Sequence, residues 1–405
     1  MKTMPGLADV ARGFRFAVIT ASALAGAAAA SDLLIQSFNS AGRLSFDALN
    51  DGTNYNYRVE WASTPSGPWS AFAGAGVWLD AIQAQPGSCV TGSVPMCYRV
   101  VATRGDYLSV DLSGGTNAAF YPAESYRTLA DVPGGPAAES YKTTRLLLRL
   151  VPKGVFMMGS PESELGRSAD EPAHRVTLSH DFYMGVFEVT QRQWELVMGD
   201  RPSFFTNGLY YASRPVEQVS YEDIRGSGAG SLWPAGRGVD ADSFMGRLRA
   251  KAGWPEADLP TEAQWEAACR AGAVTALNSG KNLAAADEDP NTAEVARYFF
   301  NSGSAYEPDC DAATATARVG SYLPNAWGLY DMHGNILEWC LDWYGDCSEE
   351  VADPEGSATG TGRVRRGGSW GSSADGCRSA FRYALFGPDY RNSSIGFRVA
   401  VTPGR

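Results

Sequence analysis

The chain has 405 residues and a formal net charge of −11, with 45 acidic against 34 basic side chains. This acidic balance, without a basic run interleaved with aromatic residues, argues against nucleic acid as a partner. The length allows two domains, and 45 glycines, 22 prolines and an aromatic content of 11% indicate a folded, loop-rich protein in which helices do not dominate.

The first thirty residues are predicted to be a cleaved signal peptide. Lys2, Arg12 and Arg15 precede an apolar run over residues 16–30 that is rich in alanine and other small residues. This run falls short of the roughly 20 strongly apolar residues that a membrane span requires. We therefore expect residues 1–30 to be removed and the protein to be exported without a membrane span, to a periplasmic, extracellular or cell-surface location.

Seven cysteines in an exported chain make disulfides permissible, and the odd number leaves at least one thiol free, metal-bound or intermolecular. Cys89 and Cys97 bracket a short turn, and we predict a disulfide between them. The connectivity of the other five is open, and their spacing fits no CxxC zinc pattern: Cys269, Cys310, Cys340, Cys347 and Cys377.

Residues 31–112 are predicted to form a small all-β sandwich. The strand-like runs RLSFDAL, YNYRVEWA, GVWLDAI and CYRVVAT are separated by turn signals, and they contain no catalytic constellation. A spacer or adhesion module is the default interpretation. Residues 113–144 are rich in turn-forming residues and are predicted to be a linker, so the second domain is expected over 145–403.

Three helices in the second domain are predicted from their caps. Thr190 with Gln193, and Thr261 with Gln264, fit the capping-box pattern, and a third helix is predicted from about residue 242 to 251. Gly199, Gly272 and Gly253 are expected to end the three helices. We interpret these helices as scaffold.

The segment NAWGLYDMHGNILEWCLDWYG crowds acidic residues and tryptophans into a short stretch. Asp331, Asn335, Glu338 and Asp342 offer hard oxygen ligands of the kind that calcium prefers. A tryptophan-packed turn whose acids accept hydrogen bonds from local N–H groups explains the same residues equally well. The pattern alone does not separate the two.

The C-terminal run over residues 363–400 is the best place to expect function. Gly367 and Gly368 allow a tight turn, and a hydroxyl followed by a large aromatic ring, Ser369 and Trp370, suggests the wall of a pocket. Arg378 and Arg382 stand four residues apart and would line that pocket. Structural arginines in a core of sheet and loop are the alternative.

Seven motifs in the same order resemble the formylglycine-generating enzyme family, also called sulfatase-modifying factors. They are MGS, DEPAHRVTL, EVTQRQW, RPVEQVSYED, LPTEAQWEAACRAG, GLYDMHGNILEW and the closing GGSW…GFRVA. The resemblance implies an α+β fold related to C-type lectins, with low regular secondary structure, stiffened by calcium. By this resemblance the calcium ligands are Asp331, Gly334, Ile336 and Glu338, and Asn301 marks a first, weaker calcium stretch.

Fully active members of that family hold copper(I) with two cysteines and oxidise a cysteine of a sulfatase to formylglycine. Those cysteines follow the serine of the Gly-Gly-Ser motif by three and eight residues, which from Ser369 gives Ser372 and Cys377. The resemblance therefore names these three residues as the catalytic positions. A serine hydroxyl is a hard, poorly deprotonated ligand, so Ser372 leaves the copper(I) pair incomplete.

Two functions follow from these patterns. The first is an exported enzyme of the formylglycine-generating type, or a close derivative, acting on a sulfatase-like protein or peptide. The second is a catalytically silent, calcium-stabilised binding protein whose C-terminal loop holds a ligand or partner. For Cys377 we expect Arg378 to favour a thiolate, yet we favour a structural role in which the cysteine is bridged to another one.

Overall fold

The computed structural model describes residues 105–304, 306–347 and 350–403, and before them the backbone of six strands. The chain divides into two compact units, residues 1–104 and residues 105–405. All described helices lie in the second unit, and none of them is long and apolar enough to cross a membrane.

The described part of the first unit consists of strands. β1 pairs with β2, and β3 pairs with β4, β5 and β6, all antiparallel. This agrees with the predicted all-β character, whereas the packing of a sandwich lies outside the described residues, as do the signal peptide and Cys89 of the predicted disulfide. The strands are β1 Ile35–Phe38, β2 Leu44–Phe46, β3 Tyr55–Ala62, β4 Ser70–Ala71, β5 Leu79–Asp80 and β6 Cys97–Arg104.

The second unit combines short strands and short helices in an α+β fold with long irregular connections, as predicted. Its strands are β7 Tyr107–Asp111, β8 Ala123–Tyr126, β9 Arg145–Val151, β10 Gly154–Met158, β11 His174–Leu178, β12 Phe182–Gly185, β13 Ala257–Asp258, β14 Ala296–Arg297, β15 His333–Gly334, β16 Leu337–Trp343, β17 Val351–Ala352, β18 Arg363–Arg366, β19 Arg382–Tyr383, β20 Ile395–Gly396 and β21 Ala400–Val401. Its helices are α1 Gln191–Met198, α2 Tyr221–Arg225, α3 Phe244–Ala252, α4 Glu262–Arg270 and α5 Pro290–Val295.

The largest sheet is antiparallel and has the strand order β13-β21-β12-β9-β7-β8. A second sheet, in the order β19-β18-β16-β20, places Glu338 of β16 opposite Arg366 of β18. The two stretches singled out in the sequence therefore lie on neighbouring strands, because Gly367 follows β18 directly. A third sheet has the order β10-β11-β17.

The sheet corrects the predicted linker. β8 falls inside residues 113–144, and it pairs with β7, which in turn pairs with β9. Turn-forming residues dominate this segment, but Tyr121, Val132 and Tyr141 within it are buried in the core of the second unit. The turns are therefore the connections of an antiparallel sheet, and the second unit begins at residue 105.

The predicted helix starts are confirmed. The side chain of Thr190 accepts a hydrogen bond from the Gln193 N–H at the start of α1, and Thr261 makes the same contact with Gln264 at the start of α4. Helix α3 begins after Ser243 and ends at Gly253. Helix α4 ends one residue earlier than predicted, because Ala271 itself adopts the left-handed conformation.

Candidate functional site

The Gly-Gly turn after β18 lies directly over Cys377. Gly367 and Gly368 adopt φ values of 92° and 73°, in the left-handed region that favours glycine. A Cβ atom at Gly368 would lie 2.8 Å from the sulfur of Cys377, so a side chain there would clash. This close approach is why the turn requires glycine.

Ser369 and Ser372 form the outer part of the same turn. The Ser369 N–H donates to Ser372 Oγ at 3.0 Å, and the two hydroxyl oxygens are 3.3 Å apart. The Ser372 N–H in turn donates to the Ser369 carbonyl oxygen at 3.0 Å. The structure thus brings together the three positions that the resemblance named, with Cys377 beneath the two serines.

The Cys377 thiol is completely buried. Burial raises its pKa to about 12; Asp375 raises it further, and the N–H groups of Ser369 and Gly334 offset part of the shift. The predicted thiolate is therefore wrong, because the guanidinium of Arg378 pairs with the carboxylate of Glu171 instead of stabilising the sulfur of Cys377. The predicted bridge is wrong as well, since the thiol is free.

The residues present do not fit a copper(I) ion. Such a site needs two accessible thiolates, and here one position is a serine while the other is a buried thiol. Cys269 is also buried, with its sulfur 3.8 Å from His333 Nε2, and burial raises its pKa to about 12. Within the described residues no three His, Cys, Asp or Glu side chains converge on a metal position.

The two predicted pocket arginines belong to buried ion pairs. Arg378 donates to both oxygens of Glu171, at 2.7 and 2.8 Å, and to Glu164 at 2.8 Å. Arg382 donates to both oxygens of Glu262, at 2.6 and 2.8 Å. Neither guanidinium is available to a ligand, so the prediction that they line a pocket is corrected in favour of the structural alternative.

The predicted calcium ligands do not fit calcium, which takes six to eight oxygens. Both oxygens of Glu338 accept hydrogen bonds from Arg398, and one also accepts from Trp265. The side-chain oxygen of Asn301 accepts from the Tyr298 N–H. Of the three predicted side-chain ligands, only Asp331 has an oxygen without a hydrogen-bond partner in the described part of the chain.

Gly334 and Ile336, the predicted backbone ligands, flank a buried carboxylate that sequence reasoning missed. Glu188 accepts from Asn335 Nδ2 at 2.6 Å and from the Ile336 N–H at 3.3 Å. Burial raises the pKa of Glu188 well above its ordinary value, and the nearby carboxylates of Asp331 and Glu338 raise it further. Glu188 stands just before a helix cap, and its place as the first residue of the EVTQRQW motif was the available signal.

Aromatic rings surround the outer face of the turn and define what we call the aromatic surface. Its members are Phe204, Phe299, Phe300, Tyr306 and Trp370. The ring of Tyr306 stacks between those of Phe204 and Trp370, with centroids 4.7 and 5.7 Å away. Tyr306 is 51% exposed and Phe299 58% exposed.

Hydrogen bonds fix this surface relative to the turn. The Trp370 indole N–H donates to the Ser393 carbonyl, the Tyr306 hydroxyl contacts the Ser393 hydroxyl, and the Phe299 N–H donates to the Ser372 carbonyl. Only Trp370 of this set was identified from the sequence. The adjacent phenylalanines at 204 and 205 and at 299 and 300, placed in loops, were the available signal.

The comparison with protein families gives one domain over most of the second unit. Residues 137–403 match the sulfatase-modifying factor enzyme 1-like domain. The chain belongs to the sulfatase-modifying factor family. The resemblance drawn from the motifs is thereby confirmed, and so is the fold that it implied.

Relatives of this chain include formylglycine-generating enzymes. That of Mus musculus is 27% identical over 321 residues, covering 71% of this chain and 83% of the relative. That of Streptomyces coelicolor is 30% identical over 304 residues, covering 66% of this chain and 92% of the relative. Among solved structures, Treponema denticola variable protein 1 is similar at 28% identity and a TM-score of 0.52, covering 64% of this chain and 96% of that one.

Proposed function

We propose that this chain is a binding member of the family, which holds a protein or peptide partner at the aromatic surface without oxidising it. The observation that carries this proposal is the state of Cys377, a buried thiol with a pKa of about 12 opposite a serine. Copper(I) chemistry depends on thiolates, and burial disfavours the thiolate here. On this proposal the site keeps the Gly-Gly-Ser turn but lacks the pair of thiolates that copper(I) needs.

The aromatic surface supports the binding role. Exposed groups of apolar side chains can mark binding sites for partners, and Phe299, Phe300 and Tyr306 are 58%, 43% and 51% exposed. Aromatic rings with fixed orientation are effective contact residues, because they bury a large area and lose little conformational freedom. The matched family is named for sulfatase-modifying factors, so a sulfatase-like protein or peptide as partner is consistent with the family.

The test of this proposal measures copper(I) and thiol reactivity on the purified chain. We expect no tight copper(I) binding in competition with a chelator, no oxygen consumption with cysteine peptides, and no alkylation of Cys377 before unfolding. The buried, protonated thiol is the reason for all three results. Tight copper(I) binding together with rapid alkylation of Cys377 would restore the oxidase as the better function.

Ser372→Cys is the matched variant for this experiment. It supplies a second sulfur beside Ser369, at the position that the family resemblance assigns to copper. If the missing thiolate alone explains the loss of copper, the variant gains copper(I) binding while the natural chain has none. A second variant, Cys377→Ser in the Ser372→Cys background, should abolish that gain.

We further propose that the chain is exported, because its first thirty residues combine a basic start, an apolar run and small residues before position 31. The expected mature protein begins near Ser31. Intact-mass measurement of the exported chain checks this, and a mass that includes Met1 would contradict it.

A further inference from the structure

A long polar loop over residues 301–314 turns its backbone carbonyl groups inward onto a buried arginine. Arg297 Nη1 donates to the carbonyl oxygens of Asn301 and Ala313, at 2.5 and 2.9 Å. Its Nη2 donates to the carbonyl oxygen of Ala312 at 2.7 Å. One guanidinium therefore joins the two ends of the loop.

Arg214 holds the same loop from another side. Its Nη1 donates to the Cys310 carbonyl at 3.1 Å. Its Nη2 donates to the Thr314 carbonyl at 3.1 Å and also to the Asp311 carbonyl. Together the two arginines engage the carbonyl oxygens of six loop residues.

Both guanidiniums are charged groups in the interior: Arg214 is 0% and Arg297 7% exposed. In the described part of the chain their hydrogen bonds end on carbonyl oxygens and on the Cys310 sulfur rather than on carboxylates. A buried charge is costly, so the carbonyl dipoles compensate it together with the more distant carboxylates of Glu217, near Arg214, and Asp311, near Arg297. Calcium also binds backbone carbonyl oxygens. The two guanidiniums together carry two positive charges, as one calcium ion does.

The second predicted calcium stretch differs, because its arginine faces three buried acids, Glu188, Asp331 and Glu338, and Asp331 keeps an oxygen without a partner in the described residues. Arg398 is completely buried and donates to both oxygens of Glu338, at 2.5 and 2.7 Å. It also donates to the carbonyl oxygens of Gly185 and Tyr330, at 3.0 and 3.1 Å. A guanidinium thus binds the carboxylate that was predicted to bind the metal.

We propose that Arg214 and Arg297, the arginine clasp, perform at loop 301–314 the structural task that calcium was predicted to perform at its first stretch. Six carbonyl oxygens of loop 301–314 accept hydrogen bonds from these two guanidiniums, which leaves fewer of them to bind a metal ion. The loop carries Tyr306 of the aromatic surface, and the clasp is therefore a positioning device for that surface. The proposal does not depend on the function assigned above.

The experiment is hydrogen exchange of the full chain, followed by mass spectrometry, with millimolar calcium or with a calcium chelator. We expect the same exchange over residues 301–314 and the same melting temperature in both conditions. Arg297→Met should speed exchange of this loop roughly tenfold or more, because three carbonyl contacts are lost, while strand β9 keeps its protection. Adding calcium should not slow that exchange.

Arg391→Met is the matched control, since the Arg391 side chain is 55% exposed and pairs with Asp223 on the surface. It should leave the loop unchanged. Calcium that raises the melting temperature or slows loop exchange in the natural chain would overturn the proposal, and so would an Arg297→Met loop that exchanges like the natural one. Should Arg297→Met fail to fold, the comparison of calcium with chelator on the natural chain decides alone.

Discussion

Replacing Arg378 with methionine is expected to lower the free energy of unfolding by about 3–5 kcal/mol, the usual cost of removing one partner of a buried ion pair. Glu171 is 1% exposed, and its oxygens receive two of the arginine's hydrogen bonds. Methionine fills a similar volume but leaves that carboxylate without its counter-ion. Urea unfolding of the natural and variant chains, followed by tryptophan fluorescence, measures the difference.

Arg391→Met serves again as the control, because exposed ion pairs contribute about 1 kcal/mol or less. A small effect for both variants would mean that Arg378 is not a structural residue. It would return Arg378 to the set of residues available to a ligand.

Glu217→Gln is expected to stabilise the chain at pH 8 by up to about 3 kcal/mol and to change little at pH 4.5. Burial raises the pKa of Glu217 from 4.5 to about 7. The folded chain therefore binds the proton more tightly than the unfolded chain, and stability falls as the pH rises from about 4.5 to 7. Glutamine does not ionise, so it avoids this loss.

The hydrogen bonds of Glu217 make glutamine a close replacement. Oε1 accepts from the Phe205 N–H at 2.9 Å, a bond that the amide oxygen can keep, and Oε2 has no partner among the described residues. Unfolding curves at the two pH values give the measurement. Glu307→Gln, at an exposed position, serves as the control substitution, and equal stability of Glu217→Gln and the natural chain at pH 8 would contradict the prediction.

Rules that depend only on neighbouring residues predicted the starts of the helices. The caps of α1 and α4 were readable because a threonine and a glutamine three residues apart satisfy each other's backbone groups whatever the surroundings. Strand pairing over residues 105–151 was not readable, because the turns that join an antiparallel sheet have the composition of a linker. The family match covers this region only from residue 137 onwards.

The candidate site was predictable in position but not in chemistry. The Gly-Gly-Ser-Trp motif located the turn, and Cys377 lies beneath it as the spacing implied. Whether an arginine faces a ligand or a carboxylate depends on residues far away in sequence, such as Glu171 for Arg378 and Glu262 for Arg382. The same holds for Glu338, whose partner Arg398 stands in the closing strand-like run and had been assigned no role.

The six-stranded sheet has a practical consequence for work with the isolated second unit. Strand β7 lies between β8 and β9, while β21, the last strand of the chain, lies between β13 and β12. A fragment cut at the start of the matched family domain, at residue 137, would lose β7 and β8 and uncover an edge of β9 that includes Leu146 and Leu148. Unpaired apolar edges invite self-association, so a soluble fragment should start at Gly105 and retain Val401.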